Sequence, residues 1–267
     1  IAFDADGDAP PVGGGGQVLS SRRGLEESLS DLGRWGKNSG TLAGKVGVIG
    51  VRSSAFATDA AVARMRSMGI NVLRAAYLDG SSPTEVTDSV RDFASLGVDV
   101  VLFAAPMDTQ RRWVAQASVL GRPFTYVVSD AHDAVRNETY PAAFDGTLAH
   151  TSLRVPWYMR SHAETFVQST CRTTWEAAAV PPRTLSTSEL MSVFIWCQHA
   201  DLVLTATRAA EHGMAFGTAL RSLVIESPLT SDLGPTIGGS YGPTQDAVLV
   251  WRASCSCWME SRPFAAR

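Results

Sequence analysis

Between Ala57 and Asp130 the chain changes hydrophobic rhythm three times in the same way. Apolar residues spaced for one helical face give way to a glycine, and a largely apolar run starts within one or two residues. The three units read Arg66-Ser67-Met68-Gly69 then Ile70-Asn71-Val72-Leu73, Ala94-Ser95-Leu96-Gly97 then Val98-Asp99-Val100-Val101, and Ser118-Val119-Leu120-Gly121 then Pro123-Phe124-Thr125-Tyr126. Glycine just past a helix end can take the left-handed conformation without a Cβ clash. Nearly continuous apolar strands are those covered on both faces. One more such run, Val46 to Val51, precedes the first helix. Four strands alternating with three helices predict right-handed crossovers and an α/β fold: a doubly wound parallel sheet with helices on both faces. Such sheets bind ligands beyond the carboxyl ends of their strands, so the pattern locates a site before any ligand is known.

Outside the repeat the pattern is more varied. Residues 1–21, with Gly13 to Gly16 in a row, read as a linker or crossover. No Gly-Lys-Ser/Thr follows, so this is not a phosphate loop. Leu25, Leu29, Leu32 and Trp35 predict a helix from about Arg22 to Asn38. Ser82-Pro83-Thr84-Glu85 is a capping box with proline at the first helical position, and Val86, Val90, Phe93 and Ala94 follow as a buried stripe. Residues 22–157 thus form an α/β lobe whose last part, Ser129 to Ser152, is polar and irregular apart from a short strand near Thr147–Leu148. From 158 to 267 helices dominate, over about 161–178, 188–212 and 215–225, before a strand at Ala247–Ala253 and a Cys-Ser-Cys tail. The pattern puts Phe166, Val167, Thr170 and Cys171 on one helical face. Leu190, Val193, Phe194, Cys197 and Leu204 share a face on the next helix.

Composition narrows the function classes. A net charge of −3 gives no footprint for nucleic acid or an anionic membrane surface. No apolar run reaches the length of a spanning helix. The four cysteines, Cys171, Cys197, Cys255 and Cys257, include no Cys-x-x-Cys, and Cys255-Ser256-Cys257 has no nearby histidine, which disfavours a zinc site. Two disulfides in an exported protein, or four free thiols, account for them. Packing the two cysteine-bearing helices together could bring Cys171 and Cys197 within bridging range.

Chemical motifs are sparse. Gly238-Gly239-Ser240-Tyr241-Gly242 matches a nucleophile elbow, but Pro243 follows at once and the last histidine, His212, lies upstream, so it reads as a glycine-rich turn. The turn Val51-Arg52-Ser53-Ser54-Ala55-Phe56 lacks the glycines of a dinucleotide fingerprint. It opens a helix with two serine hydroxyls, which suits a carboxylate or another small polar anion, or simply a helix cap. Asp130-Ala131-His132-Asp133 follows the fourth strand at the ligand edge and could bind metal or an ammonium group. His150, His162, His199 and His212 are scattered and read as structural or surface positions.

Leu32-Gly33-Arg34-Trp35 and Ser39-Gly40-Thr41-Leu42-Ala43-Gly44-Lys45-Val46-Gly47-Val48-Ile49 resemble the entry into the second lobe of type I periplasmic binding proteins, the branched-chain amino-acid type of ABC transporters. Phe56 with Thr58-Asp59 falls where that family often has Tyr-Gly. Gly97-Val98-Asp99-Val100-Val101, the helix cysteines and Asp246-Ala247-Val248 through Trp258 also resemble it. The resemblance runs from about Arg22 to Trp258 and implies a second lobe plus a partial first lobe, the family's opening βα units being absent.

The resemblance implies an extracytoplasmic solute-binding protein of an ABC importer. It would be no enzyme and would have no cofactor and no metal. A small polar solute, an amino acid, amide or relative, would close between two lobes and be passed to a membrane permease. A second chain supplying the missing lobe is a further partner the resemblance implies. The location would be periplasmic or cell-surface, the latter with a lipid anchor lost on truncation. The residues implied for the ligand are Ser53, Ser54 and Phe56 at the first strand end, Ala105 and Pro106 at the third, and Asp130 at the fourth. A serine or backbone N–H would take the carboxylate, an aromatic ring the ligand body and an acid the ammonium, with Arg52 turning preference towards acidic or amide ligands. The disulfides implied are Cys171–Cys197 and Cys255–Cys257. A ligand-sensing domain of a receptor or regulator with this fold, and an enzyme on a doubly wound sheet, are the alternatives.

Overall fold

A computed structural model describes residues 2–4, 18–20, 25–79, 82–129, 142–151, 166–179, 181–185, 187–215, 233–235, 241–243 and 245–266. In chain order these hold β1 (Ala2–Asp4), β2 (Val18–Ser20), α1 (Leu25–Ser39), β3 (Val46–Val51), α2 (Ala55–Ser67), β4 (Val72–Leu78), α3 (Pro83–Leu96), β5 (Val100–Ala104), α4 (Met107–Val119), β6 (Thr125–Val128), β7 (Leu148–Thr151), α5 (Phe166–Ala178), α6 (Thr187–Glu211), β8 (Leu233–Pro235), β9 (Tyr241–Pro243), β10 (Gln245–Arg252) and β11 (Cys257–Ala266). The chain divides into two compact units, one of Leu25–Thr151 with Val248–Ser261 and one of the remaining segments. The helix expected at 215–225 lies outside the described residues, apart from Ala215, which is not helical.

The three glycine junctions are one motif repeated. Gly69, Gly97 and Gly121 have φ of 83°, 68° and 64°. Their N–H groups reach back to the carbonyls of Arg66, Ala94 and Ser118, and the next residues, Ile70, Val98 and Arg122, donate to Met65, Phe93 and Ala117. This is the Schellman pattern, which satisfies the last helical carbonyls. Ile70 and Val98 are buried as they leave it. The pairing consumes the residues just after each glycine, so β5 and β6 start about two residues later than the apolar onset suggests.

Seven strands form one sheet in the order β11-β10-β7-β6-β5-β3-β4. β3 lies parallel between β4 and β5, and β5, β6 and β7 continue in parallel. The chain steps from β3 to one side for β4, then crosses to the other for β5, which sets the topological switch point between the carboxyl ends of β3 and β5. Strand alternation divides the apolar residues between two cores. Val46, Val48, Val100, Leu102 and Val127 pack with Leu29 and Leu32 of α1 and Ala61, Val62 and Met65 of α2. On the opposite face Trp113 of α4 meets Phe93 of α3, Phe103, Phe124 and Tyr126 at ring-centroid distances of 5.9, 5.8, 5.2 and 6.3 Å. Gly47 admits the Phe93 ring against the sheet, where a Cβ would overlap it.

Tyr126 is buried in this layer, and burial raises its hydroxyl from the ordinary 10 to about 12. The unfolded chain would ionise this phenol near pH 10 and the folded one only near 12. Its contribution is therefore whole below the lower value and is lost as pH climbs to the upper one. Tyr126→Phe should flatten the fall in urea midpoint over that range. An unchanged slope would show that the phenol ionises as freely folded as unfolded.

In the other unit β1 and β2 pair in parallel, Ala2 opposite Val18, and the sheet runs β1-β2-β9-β8. β1 and β2, three residues each, fall within residues 1–21, the stretch read as linker or crossover. They are too short to show a period, and their partners are distant in sequence. α5 and α6 are joined by a Cys171–Cys197 disulfide with Cα atoms 6.5 Å apart. The buried face of α5 carries Gln168 and Cys171, whereas Phe166 is 85% exposed, so this face is turned from the one the apolar spacing predicts. Leu204 of α6 is exposed as well. A second disulfide joins Cys255 and Cys257 in the turn between β10 and β11, and β11 itself extends a tail the sequence did not mark as strand.

Candidate functional site

The carboxyl ends of β3 and β5 flank the switch point, and each leads directly into a helix. After Val51 the chain makes a single 3-10 turn, Arg52–Ser54, and α2 starts at Ala55. After Ala104, Pro106 opens α4. Neither helix start has a side-chain cap: none is made by Ser54 at α2 or by Pro106 at α4. The capping alternative for Ser54 is therefore not what the structure contains. Its hydroxyl instead donates to the Val51 carbonyl at 3.4 Å, and its carbonyl accepts from Thr58 Oγ1 at 3.0 Å. Two helix N-termini without side-chain caps thus lie at the carboxyl edge by the switch point. Helix N-termini favour an anion, but at α2 the Ala55 N–H is already taken by the Arg52 carbonyl.

Of the residues implied for the ligand, Ser53, Ser54, Phe56, Ala105 and Pro106 all lie at this edge. Asp130 lies outside the described residues. Ser53 and Pro106 are exposed, Ser54 and Ala105 half-buried. Phe56, in the first turn of α2, is 89% exposed, an aromatic ring in solvent beside an anion-favouring edge.

Arg52 is engaged elsewhere. Its Nε lies 2.8 Å from Asp79 Oδ2, just past β4, and Nη2 lies 3.1 Å from Glu85 Oε1 in the first turn of α3. It thus faces the β4 side of β3, away from β5, and two acids oppose its charge. Steering of ligand choice by Arg52 does not fit this geometry. Glu85 keeps half of its capping box: its N–H donates to Ser82 Oγ at 3.4 Å, while its carboxylate turns to Arg52 and to the Asp79 N–H. Nearby, the Tyr77 hydroxyl donates to Asp59, and burial first, then that carboxylate, pushes its pKa far above the ordinary value.

Sequence reasoning missed Gln110. It stands in the first turns of α4, 1% exposed, with Nε2 donating to the Ala105 carbonyl at 2.7 Å. Its Oε1 is buried without a hydrogen-bond partner. A buried acceptor without a donor costs about 1–3 kcal/mol. Nothing local in the sequence distinguishes this glutamine from a surface helical one. Among the described residues no cluster of His, Cys, Asp or Glu could hold a metal ion, and no helix is long and apolar enough to cross a membrane. His132, Asp133 and Ser240 lie outside them; His150 is buried on β7.

No family model matches the sequence, and no curated protein is similar to it. Solved structures are. A branched chain amino acid ABC transporter protein from Thermus thermophilus with bound valine superposes with a TM-score of 0.70 at 12% identity, over 94% of this chain and 67% of that one. A solute binding protein of an ABC transporter from Rhodopseudomonas palustris, in complex with p-hydroxybenzoic acid, gives 0.67 at 12% identity over 93% and 67%. An ABC transporter substrate-binding protein from Desulfitobacterium hafniense in complex with leucine gives 0.62 at 11% over 91% and 67%. The fold is that of type I periplasmic binding proteins, and this chain spans about two thirds of their length.

Proposed function

We propose that this chain is an extracytoplasmic solute-binding protein of an ABC importer, and that its solute is a small molecule with a carboxylate. The observation that carries the reading is the pair of helix N-termini without side-chain caps, α2 and α4, at the switch point of a type I periplasmic-binding-protein fold. Support also comes from the ligands of the similar structures, valine, leucine and p-hydroxybenzoic acid, which share a carboxylate. In this reading the Ser53 and Ser54 hydroxyls take the carboxylate, and the positive end of the α2 dipole favours it there. Phe56 covers the ligand body, and the Ala105–Pro106 turn lines the opposite side. Asp130 and the Gln110 carboxamide oxygen take a donor such as an ammonium or hydroxyl. This unit supplies one wall of the site and does no chemistry on the solute, which is passed to a membrane permease.

The test is a thermal melt with valine, leucine, benzoate and 4-hydroxybenzoate. A ligand at 100 times its Kd adds about 2.7 kcal/mol, which shifts Tm by about 5 °C or more for a chain of this size. For the ligand that binds, Ser54→Ala and Asp130→Asn should each raise Kd about tenfold or more, since hydrogen bonds to charged groups contribute about 1.5–3 kcal/mol. Four flat melts would overturn the carboxylate reading. Binding unchanged in both variants would move the site elsewhere.

A further inference from the structure

The two disulfides differ in what holds them. Cys171 and Cys197 close a long stretch, 26 residues apart in sequence, between two packed helices. Cys255 and Cys257 are two residues apart, so their bond removes little chain entropy from the unfolded state. Ser256 between them has φ of 48°, the single non-glycine positive φ among the described residues. That conformation is costly for a residue with a Cβ, and it lies inside the ring the disulfide closes. The bond is also within reach: Ser256 is exposed and Cys255 half-buried, while Cys257 is buried. The surrounding turn has anchors that do not depend on sulfur. Ala253 N–H donates to Asp145 Oδ1 at 2.9 Å, Cys255 N–H to the Arg252 carbonyl at 3.3 Å, and Trp251 and Trp258 pack edge to face at 5.4 Å.

We propose that Cys255–Cys257 is a thiol–disulfide exchange site, opened by dithiols under conditions that leave Cys171–Cys197 closed. A dithiol's thiolate attacks Cys255 Sγ, forming a mixed disulfide and breaking the bond to Cys257, which leaves as thiolate and takes a proton. The dithiol's second thiol then attacks the mixed disulfide and releases Cys255 as thiol. The dithiol is oxidised to its cyclic disulfide, and two electrons and two protons pass to the protein. The β10–β11 turn stays anchored through Asp145 and the tryptophan pair, so reduction loosens the turn without unfolding the sheet.

The native protein would be held in graded dithiothreitol without denaturant, quenched with iodoacetamide and mapped by mass spectrometry. Cys255 and Cys257 should be alkylated at reductant concentrations well below those that label Cys171 and Cys197, with far-ultraviolet circular dichroism unchanged. Ser256→Gly, which relieves the backbone strain, should raise the concentration needed several-fold. Simultaneous labelling of all four cysteines, earlier labelling of the helix pair, or labelling only on unfolding would overturn the proposal. An unshifted Ser256→Gly variant would overturn the role given to strain.

Discussion

Trp113→Ala is expected to cost about 3–5 kcal/mol, the range for truncating a fully buried tryptophan. Trp113 is 0% exposed and touches Phe93, Phe103, Phe124 and Tyr126, so its removal opens a hole bordered by rigid rings. Those rings belong to α3, β5, β6 and the approach to β6, which cannot close on the void without moving strands. The indole Nε1 also donates to Ser89 Oγ at 2.9 Å, and Ser89 passes the chain on to the Val86 carbonyl at 2.8 Å. Alanine leaves that buried hydroxyl without its donor and adds to the loss. Urea unfolding followed by circular dichroism would measure it as a lower midpoint at unchanged slope. A loss below about 1 kcal/mol would mean that the aromatic layer collapses readily and is not the packed core of that face.

Removing the Cys171–Cys197 bond, by Cys171→Ala with Cys197→Ala, should cost about 3–4 kcal/mol on chain-entropy grounds, because the bond closes a loop with a sequence separation of 26. The same reasoning gives only about 1.5 kcal/mol for a loop as short as that of Cys255–Cys257. The order of the two losses in urea midpoint is the test. Equal losses would show that native contacts, not loop length, set what each disulfide contributes. The packing beneath the helix bond is thin on α5: among its described side chains only Gln168 and Cys171 are buried. A pair of helices with so narrow a buried seam depends on covalent closure more than the sheet does.

The repeat was legible because its signals are local. A glycine after a helix, a buried residue next and a run of valines each act within about six residues, and the Schellman bonds at Gly69, Gly97 and Gly121 repeat the same stereochemistry. Ser82 and Glu85 announced the start of α3 for the same reason. The position of the proposed site came from topology, since alternation of strand and helix dictates crossovers and crossovers dictate the switch point. The partners of individual side chains were not legible. Arg52 meets Asp79 and Glu85 because β4 lies beside β3. Gln110 turns under Ala105 because α4 begins in the turn after β5. Phe166 faces solvent because α5 packs on another side than its apolar spacing favours.

By itself, then, the sequence determined the βα repeat, the parallel sheet and its switch point. These rest on short-range sterics and on the burial period, which a chain cannot hide. The tertiary structure decided which helix starts stay without side-chain caps, which charges are already paired, and that one glutamine oxygen is buried without a donor. Those depend on contacts between residues brought together only when the sheet closes.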